Sequence, residues 1–418
     1  DRVTAIQGNA GVFSYTYMGA SPLVQRLTRP NGSYTEYQYD ALNRLIQVVH
    51  KKLSGEVISQ YGYAYNAQDL RASETITDGA PLVSFTGQAT TYSYNSVNEL
   101  LGTANPAKTF SYDADGNTTQ WDSPEGKTLT AVYNTGNRLA SVGYEITSGM
   151  TYESYQAVYQ YRGDGILAGK DEDYARIINY PAYESINKKT RYVGYGLLPL
   201  QERDKNNAVL REYTWGPSLG GGIGGLLGMS QEGQNYFYLY DGKGNVTAVI
   251  DAQQNVVAAY AYDAFGNLVA KSGSLDQPYQ FSTKPYDDKT GLSYFGYRFY
   301  APATGRWLTR DPLGEKAGLN LYEFVKNDPV NQVDPMGLEN SFCGPGEVPV
   351  ETWVDPDDGG QYTTWTCMPE KSIWEKFEDW LAGVASPKET GPDRALGHQC
   401  RRTAGVGSFP NLDLSGKF

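Results

Sequence analysis

The chain has 418 residues, among them 35 Tyr, 47 Gly and only 2 His; 20% of them are charged, for a net charge of −12. That length permits a large core, and the acidic balance argues against a dedicated binder of nucleic acid or anionic membrane, both of which need a dense basic surface. No run approaches the roughly 18 apolar residues that span a bilayer, and the opening Asp1-Arg2-Val3 reads as part of something longer. Three cysteines (Cys343, Cys367, Cys400) sit in the last 80 residues, so the rest of the fold must stand on packing alone.

In chain order, the first signal is a repeat of paired aromatics followed by a turn residue. It runs Tyr37-Gln38-Tyr39-Asp40, Tyr63-Ala64-Tyr65-Asn66, Tyr92-Ser93-Tyr94-Asn95, Phe110-Ser111-Tyr112-Asp113, Val132-Tyr133-Asn134, Tyr238-Leu239-Tyr240-Asp241 and Tyr260-Ala261-Tyr262-Asp263. Tyr159-Gln160-Tyr161-Arg162 is a degenerate copy, and the close spacings of 18 to 29 residues fit one two-stranded unit per repeat. Within a unit, aromatics at i and i+2 share a strand face, and the Asp or Asn caps a turn. Gly-Asn then supplies positive φ, as in Gly116-Asn117 and Gly266-Asn267. A short apolar return strand follows, such as Leu45-Ile46 to Val49 or Val246 to Ile250.

The expected fold class is therefore all-β, hairpin after hairpin laid side by side. The tyrosines are read as packing on one another and between layers, because a repeat buries its face against its neighbours; sugar binding or base stacking by a tyrosine ladder is the alternative. His50, among Val48, Val49 and Lys51 of a return strand, is expected at the surface. The Gly220-Gly221-Gly222-Ile223-Gly224-Gly225 run lacks the Gly-Lys-Ser/Thr of a phosphate loop and reads as close backbone packing or a turn.

The Tyr-Asp hairpins resemble the YD repeats of bacterial Rhs proteins, as does Trp215-Gly216 to Leu227 followed by Tyr240-Asp241 to Thr247. The closing block is similar, almost position by position, to the Rhs repeat-associated core: Thr290-Gly291-Leu292 to Tyr300, Thr304-Gly305-Arg306-Trp307-Leu308, Arg310-Asp311-Pro312, Leu319-Asn320-Leu321-Tyr322 and Asp334-Pro335-Met336-Gly337-Leu338. Ala301 stands where the family more often has Asp, a position not expected to decide the chemistry. The resemblance spans about residues 1–338 and is densest from about 213. It implies part of a spiralling β shell (1–283), a core or plug (284–338) and a short mixed C-terminal effector segment (339–418) that the shell encloses.

The resemblance further implies an aspartic-type autoprotease acting once, in cis. Carried over by position, the catalytic pair is Asp311 and Asp334, within a motif that includes Pro335 and Gly337, and the cut falls between Leu338 and Glu339. Two carboxyls held close cannot both ionise cheaply, so their protonations split into a base and an acid. The base activates water while the acid polarises the carbonyl or protonates the leaving amine. Arg310 is a supporting candidate, to steady Asp311 or bind an oxyanion, although sequence neighbours on a strand face opposite ways. The competing reading of both Asp-Pro pairs is turn initiation, since Asp328-Pro329 and Asp355-Pro356 repeat the dipeptide.

After Leu338 the tyrosine repeat ends. From Glu339 to Phe418 there are 13 acidic and 7 basic residues, which weighs against a nuclease that grips its substrate by charge. A helix is expected near 372–382, capped by Ser372, with Ile373, Trp374, Phe377, Trp380 and Leu381 on one stripe. Cys343, Cys367, His398 and Cys400 have zinc-ligand types with only one close pair, so free thiols and no metal are expected; Asp393, His398, Arg401 and Arg402 read as a solvated loop.

The implied partners are the chain's own C-terminal segment as cargo, an immunity protein and a secretion or delivery machine, with no cofactor, no membrane span and no nucleic acid on the shell. The implied location is cytoplasmic before export, then secreted or delivered to target cells. Two other readings remain: a YD-repeat surface adhesin or carbohydrate-binding protein without self-cleavage, and a tail that binds a partner or aids cell entry.

Overall fold

The structure, a computed structural model, describes residues 2–77, 89–178, 182–338, 347–354 and 362–369. The described chain is built from antiparallel strands in sequential order. Strands β1 (Ala5–Gly8) to β7 (Arg71–Thr77) form one sheet, β8 (Thr91–Tyr94) to β10 (Lys108–Thr109) a second, and β11 (Ser111–Tyr112) to β24 (Leu268–Gly273) a single 14-stranded meander. A four-stranded sheet follows, β25 (Tyr286–Asp287) to β28 (Arg306–Trp307), and then a separate hairpin of β29 (Glu347–Val354) and β30 (Tyr362–Pro369). The helical elements among the described residues are three-residue turns such as Phe281–Thr283 and Gly314–Lys316. The expected helix near 372–382, Cys343, and the cluster of Asp393, His398, Cys400, Arg401 and Arg402 lie outside the described residues.

The repeat has a consistent physical form. The register slips by one residue just before the second tyrosine, at Gln38/Tyr39, Ala64/Tyr65, Gln160/Tyr161, Leu239/Tyr240 and Ala261/Tyr262, a bulge that re-aims the ring. Each re-aimed hydroxyl donates to a backbone carbonyl of an earlier strand: Tyr39 to Val24, Tyr65 to Leu45, Tyr133 to Thr118, Tyr161 to Leu139, Tyr240 to Leu226 and Tyr262 to Val246, at 2.5–3.1 Å. The tyrosine ladder is thus a structural device, satisfying phenol and backbone together. The following Asp or Asn accepts the amides two and four residues on, as Asp263 does from Phe265 and Asn267, both at 2.9 Å. The residue closing each turn has positive φ, for example Asn43, Asn98, Asn137, Gly244 and Gly266.

The sheets are held by apolar faces that meet. Phe13, Tyr15, Leu27 and Ile58 of the first sheet pack on Leu227, Phe237, Leu239 and Ile250 of the long one. One end of the long meander buries Trp121, Leu129, Val142 and Tyr155 against Leu292, Phe299 and Leu308, while the other buries Tyr213, Trp215 and Tyr238 with Tyr279. Both ends therefore close on the same block of residues, so the meander must curl around it. That block has its own aromatic hub of Phe281, Phe295, Tyr300, Trp307 and Phe324.

His50 corrects the surface expectation. It is 1% exposed, in the layer between the first sheet and the long one. Thr35 Oγ1 donates to its Nδ1 at 2.8 Å, and its Nε2 donates to the Tyr240 carbonyl at 2.7 Å, an assignment that follows from the partners. Its alternate-face position is covered by a sheet that lies nearly two hundred residues away in sequence.

Candidate functional site

The site is built where the end of the core block folds back on its first strands. Asp311 opens a turn: its Oδ1 accepts the Leu313 amide at 2.8 Å and its carbonyl accepts from Gly314 at 2.9 Å. Asp334 opens another. Its Oδ1 accepts the amides of Met336 (3.0 Å), Gly337 (2.7 Å) and Leu338 (3.1 Å). Both Asp-Pro pairs do initiate turns, as their bland reading has it. Unlike ordinary turn openers, both carboxyls are buried, at 5% and 1% residue exposure.

The two turns converge on one cation, Arg298, itself 2% exposed. Its Nη2 lies 2.5 Å from Asp311 Oδ2 and 3.9 Å from Asp334 Oδ2. Nε donates to the Gly337 carbonyl at 2.5 Å, Nη1 to the Leu321 carbonyl at 3.3 Å, and the guanidinium plane lies 4.2 Å from the Trp307 ring centroid. Three backbone amides occupy Asp334 Oδ1, whereas Oδ2 is buried with no hydrogen-bond partner among the described residues. Burial pushes the Asp334 carboxyl up to about 6, against the pull of Arg298 and the Met336 and Leu338 amides, with Asp311 adding to the rise.

Leu338 is fixed by apolar contacts. It is 1% exposed and clusters with Leu313 and Ala317, flanked by Tyr297 and Met336, and the Tyr297 amide donates to the Met336 carbonyl at 3.0 Å. Glu339 lies outside the described residues.

A second cation holds the other side of the turn. Lys284 Nζ donates to the Pro335 carbonyl at 2.6 Å and to the Gly221 carbonyl at 2.7 Å. Burial lowers its ammonium to about 7, with the Asp334 charge acting in the opposite direction. The glycine run makes the close approach that its composition suggested. Gly221 has φ +53, and a Cβ there would stand 1.9 Å from the Pro335 carbonyl oxygen.

Arg310 is not the cation of this site. Its side chain turns away from the carboxyl pair, reaching Tyr322 Oη at 3.3 Å and Glu99 Oε1 at 3.5 Å. The cation that meets both carboxyls is Arg298, which sequence reasoning passed over. The available signal was a lone charge inside the aromatic run Tyr294-Phe295-Gly296-Tyr297-Arg298-Phe299-Tyr300. Lys284 was also missed, standing between Thr283 and Pro285 without any motif of its own.

Comparison with known proteins agrees with this architecture. The teneurin YD-shell family matches residues 221–330, and the RHS repeat family matches residues 23–52. The tRNA nuclease WapA of Bacillus subtilis is 30% identical over 314 residues, 72% of this chain and 12% of that protein. The double-stranded DNA deaminase toxin A of Burkholderia cenocepacia is 39% identical over 106 residues, 24% of this chain and 7% of that protein. The chain thus spans about an eighth of the length of its WapA relatives. In the crystal structure of TcdB2-TccC3, a match with TM-score 0.54 and 21% identity covers 78% of this chain and 20% of that one, a likeness of fold. No helix among the described residues is long and apolar enough to cross a membrane. With the bulged tyrosine hairpins, the curled meander and family matches on the first sheet and on the end of the long sheet with the core block, the chain is an Rhs/YD-repeat protein.

Proposed function

We propose that this chain is the C-terminal part of an Rhs-type polymorphic toxin whose core cuts its own backbone after Leu338, releasing the segment from Glu339 onward. The observation that carries this reading is the buried pairing of Asp311 and Asp334 on Arg298, with Leu338 tied to Asp334 through its amide. Residues 1–283 then serve as shell, 284–338 as self-cleaving core and 339–418 as enclosed effector. An immunity protein and a delivery machine are the partners such a toxin requires, and export from the producing cell its route.

The pair shares one proton. Asp311, ion-paired with Arg298, takes a proton from the attacking water; Asp334 is the acid, and its Oδ2, which has no hydrogen-bond partner among the described residues, is the oxygen that holds the proton. Water adds to the Leu338 carbonyl carbon, the C–N bond to Glu339 breaks, and the proton held by Asp334 goes to the departing amine. Because the bond lies in the same chain, the turn itself supplies the effective concentration and no open cleft is needed. The reaction turns over once.

Intact-mass spectrometry of the purified chain beside Asp311→Asn and Asp334→Asn tests this. The expected result is a break at Leu338/Glu339 in the wild type that both variants abolish. An uncut wild-type chain sinks the reading and moves a ligand-binding, non-cleaving YD-repeat surface protein to first place.

A further inference from the structure

We propose that Lys284 is a positioning residue for self-cleavage: its buried ammonium clamps the Asp334-Pro335 turn to the Gly221 loop and biases the carboxyl pair by its charge. The inference rests on the self-cleavage reading and deepens it by adding a residue that no motif marks.

The geometry is that of a clamp. Lys284 is 4% exposed, and its Nζ spends two donors on carbonyls that no regular sheet pairing serves, Pro335 at 2.6 Å and Gly221 at 2.7 Å. The neighbouring Thr283 ties the same region down independently, its Oγ1 donating to the Gly244 carbonyl and accepting from the Gly224 amide, both at 2.7 Å. The backbone that carries Lys284 is therefore anchored before its side chain reaches out. Gly221 lies so near Pro335 that only the absence of a Cβ allows the approach. Without the ammonium, the Pro335 and Gly221 carbonyl oxygens would both lose the donor they share, a costly loss for sequestered acceptors.

The position along the chain matters as much. Pro335 directly follows Asp334 and lies three residues before Leu338. Arg298 holds the same turn from the other side at the Gly337 carbonyl. The turn that precedes the proposed cut is thus gripped at two carbonyls by two buried cations from different segments. Cleavage demands that the peptide bond be held within a fraction of an ångström of the attacking geometry.

The charge has a further consequence. The groups that act on Asp334 are Arg298, Asp311 and, by the mutual interaction seen from the lysine, Lys284. A positive charge beside Asp334 favours its ionised form, and the rate falls as the pair loses its shared proton. Asp334, at about 6, and Lys284, at about 7, both lose a proton in this range, so the wild-type alkaline limb belongs to the two together; removing the lysine leaves it to Asp334 alone and moves it upward.

The experiment uses the full chain made by pulse-labelled cell-free synthesis. Samples are transferred to buffers spanning pH 5 to 8.5, in about half-unit steps, and the cut fraction is read against time by intact mass. The variants are Lys284→Met and Lys284→Gln, with Asp334→Asn as control; resistance to limited proteolysis reports folding. Lys284→Met is expected to slow cleavage at least about tenfold and to move the alkaline limb up by about one pH unit. Lys284→Gln keeps a donor without a charge, so it recovers part of the rate and retains the moved limb. Wild-type rate and limb in both variants, with Asp334→Asn uncut, overturn the role of Lys284 and leave the aspartate reading standing. Cleavage in Asp334→Asn overturns the aspartate reading itself. If neither variant folds, Lys284 belongs to the fold alone and the positioning role falls.

Discussion

The amide of Leu338 donates to Asp334 Oδ1 at 3.1 Å, so the residue preceding the proposed cut is held by the carboxyl proposed to assist it. One oxygen of that carboxyl is structural, accepting three amides, and the other has no hydrogen-bond partner among the described residues. Asp334→Asn keeps an oxygen for the amides, whereas Asp334→Ala leaves them buried and unpaired at about 1–3 kcal/mol each before relaxation. The alanine variant is expected to be less stable than the asparagine variant by about 3 kcal/mol or more. Denaturant midpoints that coincide would show that the turn does not depend on this carboxyl.

Arg298→Met removes the cation that Asp311 approaches at 2.5 Å inside the core. Breaking a buried pair in this way costs about 3–5 kcal/mol. Asp334, which Arg298 pulls down against its burial, then gains pKa in the folded state, so its penalty is full above the folded value and relieved as pH falls and it protonates. The deficit relative to wild type should be larger at pH 7 than at pH 4, read by urea unfolding at each pH. An equal deficit at both would place the loss in packing on Trp307 instead.

Asp263→Ala tests the repeat. The carboxylate accepts the amides of Phe265 and Asn267 and, through Oδ2, the Asn267 side chain at 3.0 Å. Loss of these half-buried bonds is expected to cost about 1–2 kcal/mol, measured as a shift in unfolding midpoint. The hairpin closes beside Phe281, within 2.4 Å of where a Gly266 Cβ would stand, so the loss should also loosen the core block. Faster hydrogen exchange at Phe281 and its neighbours would register that.

His50 gives the fold a pH dependence. Burial lowers its imidazole to about 3, with the Arg29 charge acting the same way and the Tyr240 carbonyl against it. The unfolded chain takes up a proton near pH 6.5, and the folded chain does not until about 3. The stability it contributes is therefore full above about 6.5 and lost as the pH falls toward 3, at up to about 1.4 kcal/mol per pH unit. His50→Gln should flatten that slope in chemical denaturation; an unchanged slope would mean that the histidine titrates normally in the fold.

The sequence by itself determined the hairpins, because their causes are local. Apolar alternation, an Asx side chain and a positive-φ residue act within five or six positions, and Asp40, Asp241 and Asp263 all make the turns their spacing suggested. The Rhs/YD-repeat family and the aspartates worth testing were legible in the closing block for the same reason, as contiguous motifs. What the tertiary structure alone decided is which charges meet. Arg298 reaches Gly337 across 39 residues and Lys284 reaches Pro335 across 51, while Arg310, beside Asp311 in sequence, turns away toward Glu99. Adjacent side chains on extended backbone point apart, and distant ones meet only when the meander closes on the core block. His50 followed the same rule: a polar residue on a strand face becomes core once another sheet covers it.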